Sequence, residues 1–434
     1  WVRSTLRPPT PGTVRSGLEP RDLTGDGPIR QMRWRHPAGP FVCHESDPLQ
    51  MRRRTLDDAP EDAWFVCAEG ELIAWDGTRW TQAALKHGLD LNRNFPGAWK
   101  PFSMFGMDGG QFPISEPESR AVVDAFSARP HIGAAVTNHT YTGALLMAPH
   151  RPDDELPQGD LRLLSRLARD AVEGTGYRVL SIHPDFTYDP TNPIVGVWDD
   201  TISSVFGVAA YTLELWDPFA HAGLENPDPA KFWTDPDPET VRELTAAFSE
   251  EPGGLSAWRP FDHPQLGPVE IGGLDLTRTI HNPPTRLLQA ECARGLAVFE
   301  RVRRSLPRVV VNVQVDTPQP GTSLVRLTLE NQGFLSTSSL AYGETIAASP
   351  PVTATLETGA GISLLNGAGE RELTHMDGWG SAQVSGAANT LYARLPNRGH
   401  RVVAEWVVQG QGSLKLSWQA GRAGRGVEAL QIGS

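Results

Sequence analysis

Four residues invite a chemical reading: Asn92 and Arg93 in "GLDLNRNFPGAWKP", His139 at the end of "IGAAVTNH", and Glu214 inside "AAYTLELWDP". A guanidinium between two amides, at a strand exit before Phe95-Pro96-Gly97, is either a solvated end or an anion clamp. The clamp reading rests on shape. Arg presents a planar fork that matches a carboxylate in two-point contact, and an adjacent amide adds a donor. His139 follows a short apolar strand, where a histidine can be purely structural. Glu214 is flanked by Leu213 and Leu215. A carboxylate buried in such a strand is costly unless it is paired or used, and desolvation moves its pKa towards the range of a general base. Taken together, a carboxylate clamp, a strand-end histidine and a buried glutamate point to hydrolysis at a peptide C-terminus.

The elements that must position these residues can be read coarsely. The chain has 434 residues, which predicts two domains. Residues 1 to about 87 read as loops with short strands. "SEPESRAVVDAFSA" opens a helix, with Ser115 as cap and Pro117 in the first turn. "IGAAV", "YRVLSI" and "VAAYTLEL" read as buried strands, and "DLRLLSRLARDAVEG" as a helix ending at Gly174. "NPPTRLLQAECARGLAVFERV" reads as a long helix capped by Asn282, with Leu288, Cys292, Leu296 and Phe299 along its apolar face. Alternating strands and helices predict an α/β domain over residues 1–305, with a mixed central sheet flanked by helices. After Pro307 only short strand patterns remain, which predicts an all-β sandwich over residues 306–434.

Composition excludes some functions. Lys+Arg 39 against Asp+Glu 51, a net charge of −12, argues against nucleic-acid binding by counterion release. No apolar run reaches the length of a membrane span. Cys43, Cys67 and Cys292 form no disulfide framework, and a Cys43–Cys67 bridge is possible but not implied.

The runs "GLDLNRNFP", "SEPESRAVV", "NHTYTGALLMAP" and "AAYTLELWDP", in this order, resemble the landmarks of the zinc metallocarboxypeptidases, the carboxypeptidase A-like family. "DLTGDGPIRQMR" and "FDHPQLGPVEIGG" further resemble a bacterial branch with a trailing β domain. The resemblance implies one zinc ion, with peptide or protein C-termini as substrate. It implies His139 as a zinc ligand, Asn92 and Arg93 as the grip on the terminal carboxylate, and Glu214 as general base. Arg3 matches the arginine that steadies the carbonyl oxyanion, with Arg7 as the alternative. Tyr188 in "FTYDP" is either the tyrosine that covers the bound C-terminal residue or an ordinary loop tyrosine. Glu270 in "VEIGG" is the rival base. In "GVWDDTIS", Asp199 either points into the specificity pocket, favouring a basic C-terminal residue, or caps the following helix. Thr201 stands where the family often has Trp.

The family's zinc site also needs a His and a Glu from an H-x-x-E turn. None of the twelve histidines has Glu three residues on. His44, His87 and His150 have Asp47, Asp90 and Asp153 at that spacing, and none of these pairs fits the family pattern. One histidine cannot hold a catalytic zinc. The sequence therefore reads as a family member that begins after its metal-binding turn. The competing readings are a binder of peptide C-termini that has lost its metal, and a β-sandwich adaptor. The compartment is open. Any signal peptide would lie upstream of Trp1.

Overall fold

The computed structural model describes residues 15–83, 89–104, 107–187, 192–225, 232, 236–384, 393–394 and 398–433. The site-bearing region is built on a four-stranded sheet in which Arg178–Ser181, Ala144–Met147, Ala209–Leu215 and Ala134–Thr140 are successive neighbours. Two of its three pairings are parallel and the middle one, between Ala144–Met147 and Ala209–Leu215, is antiparallel. The sheet is thus mixed. The strand Ala144–Met147 lies in the run "TGALLMAP" and adds to the three strands expected from apolar runs.

Both faces of this sheet are covered, which is why Ala209–Leu215 reads as a nearly continuous apolar run. Successive side chains on a strand point to opposite faces. Tyr211 and Leu213 face the helix Gln158–Val172, whose Leu163, Leu164, Leu167, Ala168 and Ala171 recur at helical spacing. Truncating the fully buried Leu164 to Ala should cost about 2–5 kcal/mol by the lost transfer energy and the cavity left behind. Ala210 faces the other way, onto Ile202 of the short helix Trp198–Ser204 and Phe126 of the helix Pro117–Ser127. Thr212 and Glu214 share that second face by alternation. The helix Pro117–Ser127 starts from Glu116, without a side-chain cap. Ser115, expected as its cap, instead bonds Asn94 and Glu116.

The last long helix departs from expectation. It runs Leu288–Arg304, after a single 3-10 turn at Thr285–Leu287, and so starts later than Asn282-Pro283. Asn282 donates its side-chain N–H to Thr277 O instead. The face Leu288, Cys292, Leu296 and Phe299 is exposed, whereas Glu291, Val298 and Val302 are buried. The reason is Glu291. It accepts hydrogen bonds from Tyr177 Oη and from Trp216 N at 2.6 Å. Gly295, one turn further on, lets the helix approach so closely that a Cβ there would lie 2.9 Å from Leu215. A satisfied carboxylate and a glycine decide which face is inside, against the apolar pattern.

Residues of the early chain pair with late ones. A six-stranded antiparallel sheet runs Leu255–His263, Gly267–Leu274, Gln31–Arg35, Ala63–Ala68, Phe41–Cys43, Met51–Arg53. Cys43, Cys67 and Cys292 are all free, so the Cys43–Cys67 bridge is absent. From Val309 on, two four-stranded antiparallel sheets enclose Val325, Leu327, Leu329, Leu356, Trp406, Val408, Leu414 and Leu416. This β-rich part is tied to the α/β region. Phe334, Leu335 and Leu340 join the core under Gln158–Val172. Arg422 donates to Pro130 O, Ile132 O and Phe206 O at 2.6–2.9 Å.

Candidate active site

The register of the central sheet brings two of the chemical residues together. Glu214 and His139 are direct partners across the parallel pair of Ala209–Leu215 and Ala134–Thr140. His139 Nδ1 lies 3.9 Å from Glu214 Oε1. The Glu214 side chain is 8% exposed and the His139 side chain 27%. Glu214 Oε2 is buried and has no hydrogen-bond partner. Burial, reinforced by the negative charge of Asp199 and opposed by Arg93, pushes the Glu214 carboxyl up to about 8. Burial also lowers His139, against the opposing pull of Asp199 and Asp90.

Asn92 and Arg93 come from a different element, and the Arg93 charge acts on both His139 and Glu214. Leu91–Arg93 is one 3-10 turn, opened by Asp90, whose carboxylate accepts from Asn92 N at 2.9 Å. The turn is bolted to the segment before the helix Trp198–Ser204. Asn92 Oδ1 accepts from Trp198 N at 2.9 Å, and Phe95 N donates to Gly196 O at 2.9 Å. Gly196 has φ +67° and a Cβ there would sit 2.6 Å from Arg93 O, so the position requires glycine. The following turn docks on the helix itself, where Gly97 N donates to Thr201 Oγ1 at 2.7 Å. Thr201 is thus an anchor for the loop that carries Arg93.

Arg93 is half-buried. One guanidinium nitrogen donates to Asn92 O at 2.7 Å, the group lies 5.0 Å from the Phe102 ring centre, and Nε is buried without a partner. A buried, unspent donor on a fixed cation is what a clamp requires. Asn94 has a different task. It is fully buried and ties Gly109 O, Phe112 O, Ser115 Oγ, Glu116 N and Ser119 Oγ together, so it holds the loop.

The remaining sequence candidates fall in several places. Arg3, Arg7, Tyr188 and His87 lie outside the described residues. Glu270 belongs to the six-stranded sheet, where it pairs with Arg33 at 2.7 Å. Asp199 does not cap the helix Trp198–Ser204, because Val197 holds the N-cap position. It is fully buried in the first turn, with Oδ2 3.2 Å from His150 Nε2. His44 sits in an exposed turn and accepts from Ser46. His150 stands beside Asp154 and Asp200, while Asp153, three residues on, points to solvent. The signals for this cluster were the adjacent Asp199-Asp200 pair and the His150 to Asp154 spacing of four.

A catalytic zinc needs three protein ligands and an open position. Beside His139 the described residues supply Glu214 and no third ligand. Among them the one group of three close His, Cys, Asp or Glu side chains is His150, Asp154 and Asp200. The described residues at His139 therefore do not fit a catalytic zinc by themselves.

Comparison with known proteins bears on this geometry. The zinc carboxypeptidase family profile matches residues 65–226, and a domain of unknown function matches residues 309–430. Mouse (Mus musculus) carboxypeptidase A1 is 34% identical over 120 residues, 25% of this chain and 27% of that protein. The chain thus spans about a quarter of the length of this curated relative. Among solved structures, bovine thrombin-activatable fibrinolysis inhibitor in complex with tick carboxypeptidase inhibitor is 20% identical, with a TM-score of 0.25 over 47% of this chain and 62% of that one. A Streptomyces venezuelae β-glucosidase with D-glucose is 13% identical, with a TM-score of 0.15 over 29% of this chain and 15% of that one. The segment 65–226, which carries Asn92, Arg93, His139 and Glu214, is thus the part of the chain that matches the zinc carboxypeptidase family.

Proposed function

We propose that this chain takes part in zinc-dependent hydrolysis of the C-terminal peptide bond of peptides or proteins. Residues 1–305 would form the catalytic region and 306–434 a β-sandwich. The observation that supports the reading is that His139 and Glu214 face each other across the central sheet at 3.9 Å, with the Arg93 charge acting on both. Arg93 and Asn92 bind the terminal carboxylate. The buried Nε of Arg93 gains a partner only when an anion arrives. Glu214 holds or releases a proton at Oε2, in a site dry enough to keep its pKa near neutral pH. His139 is assigned to one zinc ion, which when bound would polarise the carbonyl and activate water. Its other ligands would come from outside the described residues. The same reading gives Arg3 the carbonyl oxygen and Tyr188 the cover over the C-terminal residue. It leaves Asp199 beneath the specificity pocket with its charge already engaged by His150.

The test is a peptidase assay on the protein carrying this chain, with zinc supplied and peptides either free or amidated at the C-terminus. Free peptides should be cleaved and amidated ones spared. Arg93→Ala should lose about 2–5 kcal/mol of discrimination, because the substrate carboxylate is left without its charge partner. Equal turnover of free and amidated peptides would sink the clamp. Binding that depends on the free carboxylate, without cleavage of any peptide, would leave a binder and remove the enzyme.

A further inference from the structure

We propose that His150, Asp154 and Asp200 form a second metal site, distinct from His139, that takes one first-row divalent cation such as zinc. The three residues come from two elements, the turn after Ala144–Met147 and the helix Trp198–Ser204. The His150 side chain is 1% exposed, and those of Asp154 and Asp200 are 4% and 2%.

The ring-to-carboxylate distances are longer than hydrogen bonds and close to the spacing of ligands around an ion, while Asp154 Oδ2 also accepts from His150 N at 2.9 Å. His150 Nδ1 lies 3.5 Å from Asp154 Oδ2 and 3.8 Å from Asp200 Oδ1. One ligand atom from each residue falls within 4.8 Å of the others. N–H···O bonds cluster near ~2.9 Å, whereas ~2.0–2.2 Å metal bonds at tetrahedral angles separate ligand atoms by roughly 3.3–3.6 Å. Neither His150 ring nitrogen has a hydrogen-bond partner of good geometry, although the ring is fully enclosed. Such orphaned buried groups are rare and need an explanation.

Two further observations agree. On the far side of the ring, His150 Nε2 faces Asp199 Oδ2 at 3.2 Å. A carboxylate on that side is where the second nitrogen of a metal-ligating imidazole usually turns, although this 3.2 Å approach lacks the angles of a hydrogen bond. Charge points the same way. Asp154, Asp199 and Asp200 bring three carboxylates to the cluster, and Arg151 faces Asp200 at 3.3 Å. Arg151 is shared with Glu155 at 2.7 Å, so the three carboxylates are not neutralised by it, and a divalent cation beside neutral His150 offsets more of their charge than a proton on His150 does. The mixed nitrogen and carboxylate donor set suits zinc and its neighbours more than calcium or magnesium. A cation held by the folded chain and not by the unfolded one should also appear as stability.

The test uses the full chain, stripped with a chelator and titrated with zinc alone. Wild type should take up one zinc and melt at higher temperature with it. His150→Gln and Asp200→Asn should each weaken binding by more than ~100-fold, and Asp199→Asn by about 10–100-fold, as expected for the partner of a ligating imidazole. Asp200→Asn conserves shape and serves as the reading if His150→Gln fails to fold. His139→Ala should keep the zinc. Failure of wild type to retain stoichiometric zinc overturns the proposal. So does zinc that survives both His150→Gln and Asp200→Asn but is lost in His139→Ala, a result that would instead place the ion in the proposed catalytic region.

Discussion

His139 and His150 lie eleven residues apart, the first in the strand Ala134–Thr140 and the second in the turn after Ala144–Met147, and meet opposite electrostatics. His139 is partly open and faces one carboxylate, Glu214, at 3.9 Å. Burial wins there, so the imidazole is held neutral and the carboxyl is pushed up to about 8. His150 is more deeply buried, yet it is pushed up to about 10. Burial opposes that shift, and the charge of Asp199 with the contacts to Asp154 and Asp200 overcomes it. The number of carboxylates around the ring decides, not the depth. Asp199 links the two places, because it stabilises charge on His150 and discourages it on Glu214.

The comparison can be broken by substitution in metal-stripped protein. At neutral pH, His150→Gln should cost about 3–5 kcal/mol in chemical denaturation, because it strands buried carboxylates. His139→Gln should cost about 1 kcal/mol or less, having no buried charge partner to strand. Equal losses would show that the two histidines do the same structural work.

The next effect has a pH signature. Glu214 has a raised pKa, so its ionisation weakens the folded state as pH rises from about 4.5 to about 8. Glu214→Gln should therefore stabilise the protein by roughly 2–4 kcal/mol at pH 8–9 and hardly at all near pH 4. In metal-stripped protein His150 contributes stability that is complete below about 6.5 and fades as pH climbs through about 10. The gap between wild type and His150→Gln should narrow over that higher window. Melting curves collected across pH would separate the two, and a Glu214→Gln gain that is flat with pH would refute the assignment.

The smallest effect concerns the rival glutamate. Glu270→Gln should leave peptide turnover unchanged and cost about 1 kcal/mol, since Arg33 keeps its stacking on Trp64 and Trp258, 4.5 and 4.2 Å from their ring centres. A loss of turnover as large as that of Glu214→Gln would reverse the choice between them.

The site candidates were legible because they sit where apolar strands stop. His139 and Glu214 stand out as polar groups in or after such runs, and Asn92-Arg93 as a cation held before a turn. The helix Leu288–Arg304 was misread for the opposite reason. Its exposed side carries the apolar spacing, while its buried side carries Glu291 and Gly295, whose value depends on Tyr177, Trp216 and Leu215. The Asn94 hub was equally silent, because an amide that satisfies loop carbonyls looks like any other polar loop residue until the loop closes around it.

By itself the sequence determined the mixed α/β character of the first region, the β-rich character of the second, and which residues are candidates to grip a carboxylate and move a proton. Those follow from local chemistry: side-chain periodicity, turn residues and the donor or acceptor each side chain carries. Tertiary structure alone decided that Glu214 opposes His139, that Gly267–Leu274 pairs with Gln31–Arg35, and that Asp199 spends its charge on His150 rather than on a helix end. Register and burial set these, and both depend on which distant strands meet, because a buried charge goes to whichever partner the packed fold brings within a few ångströms.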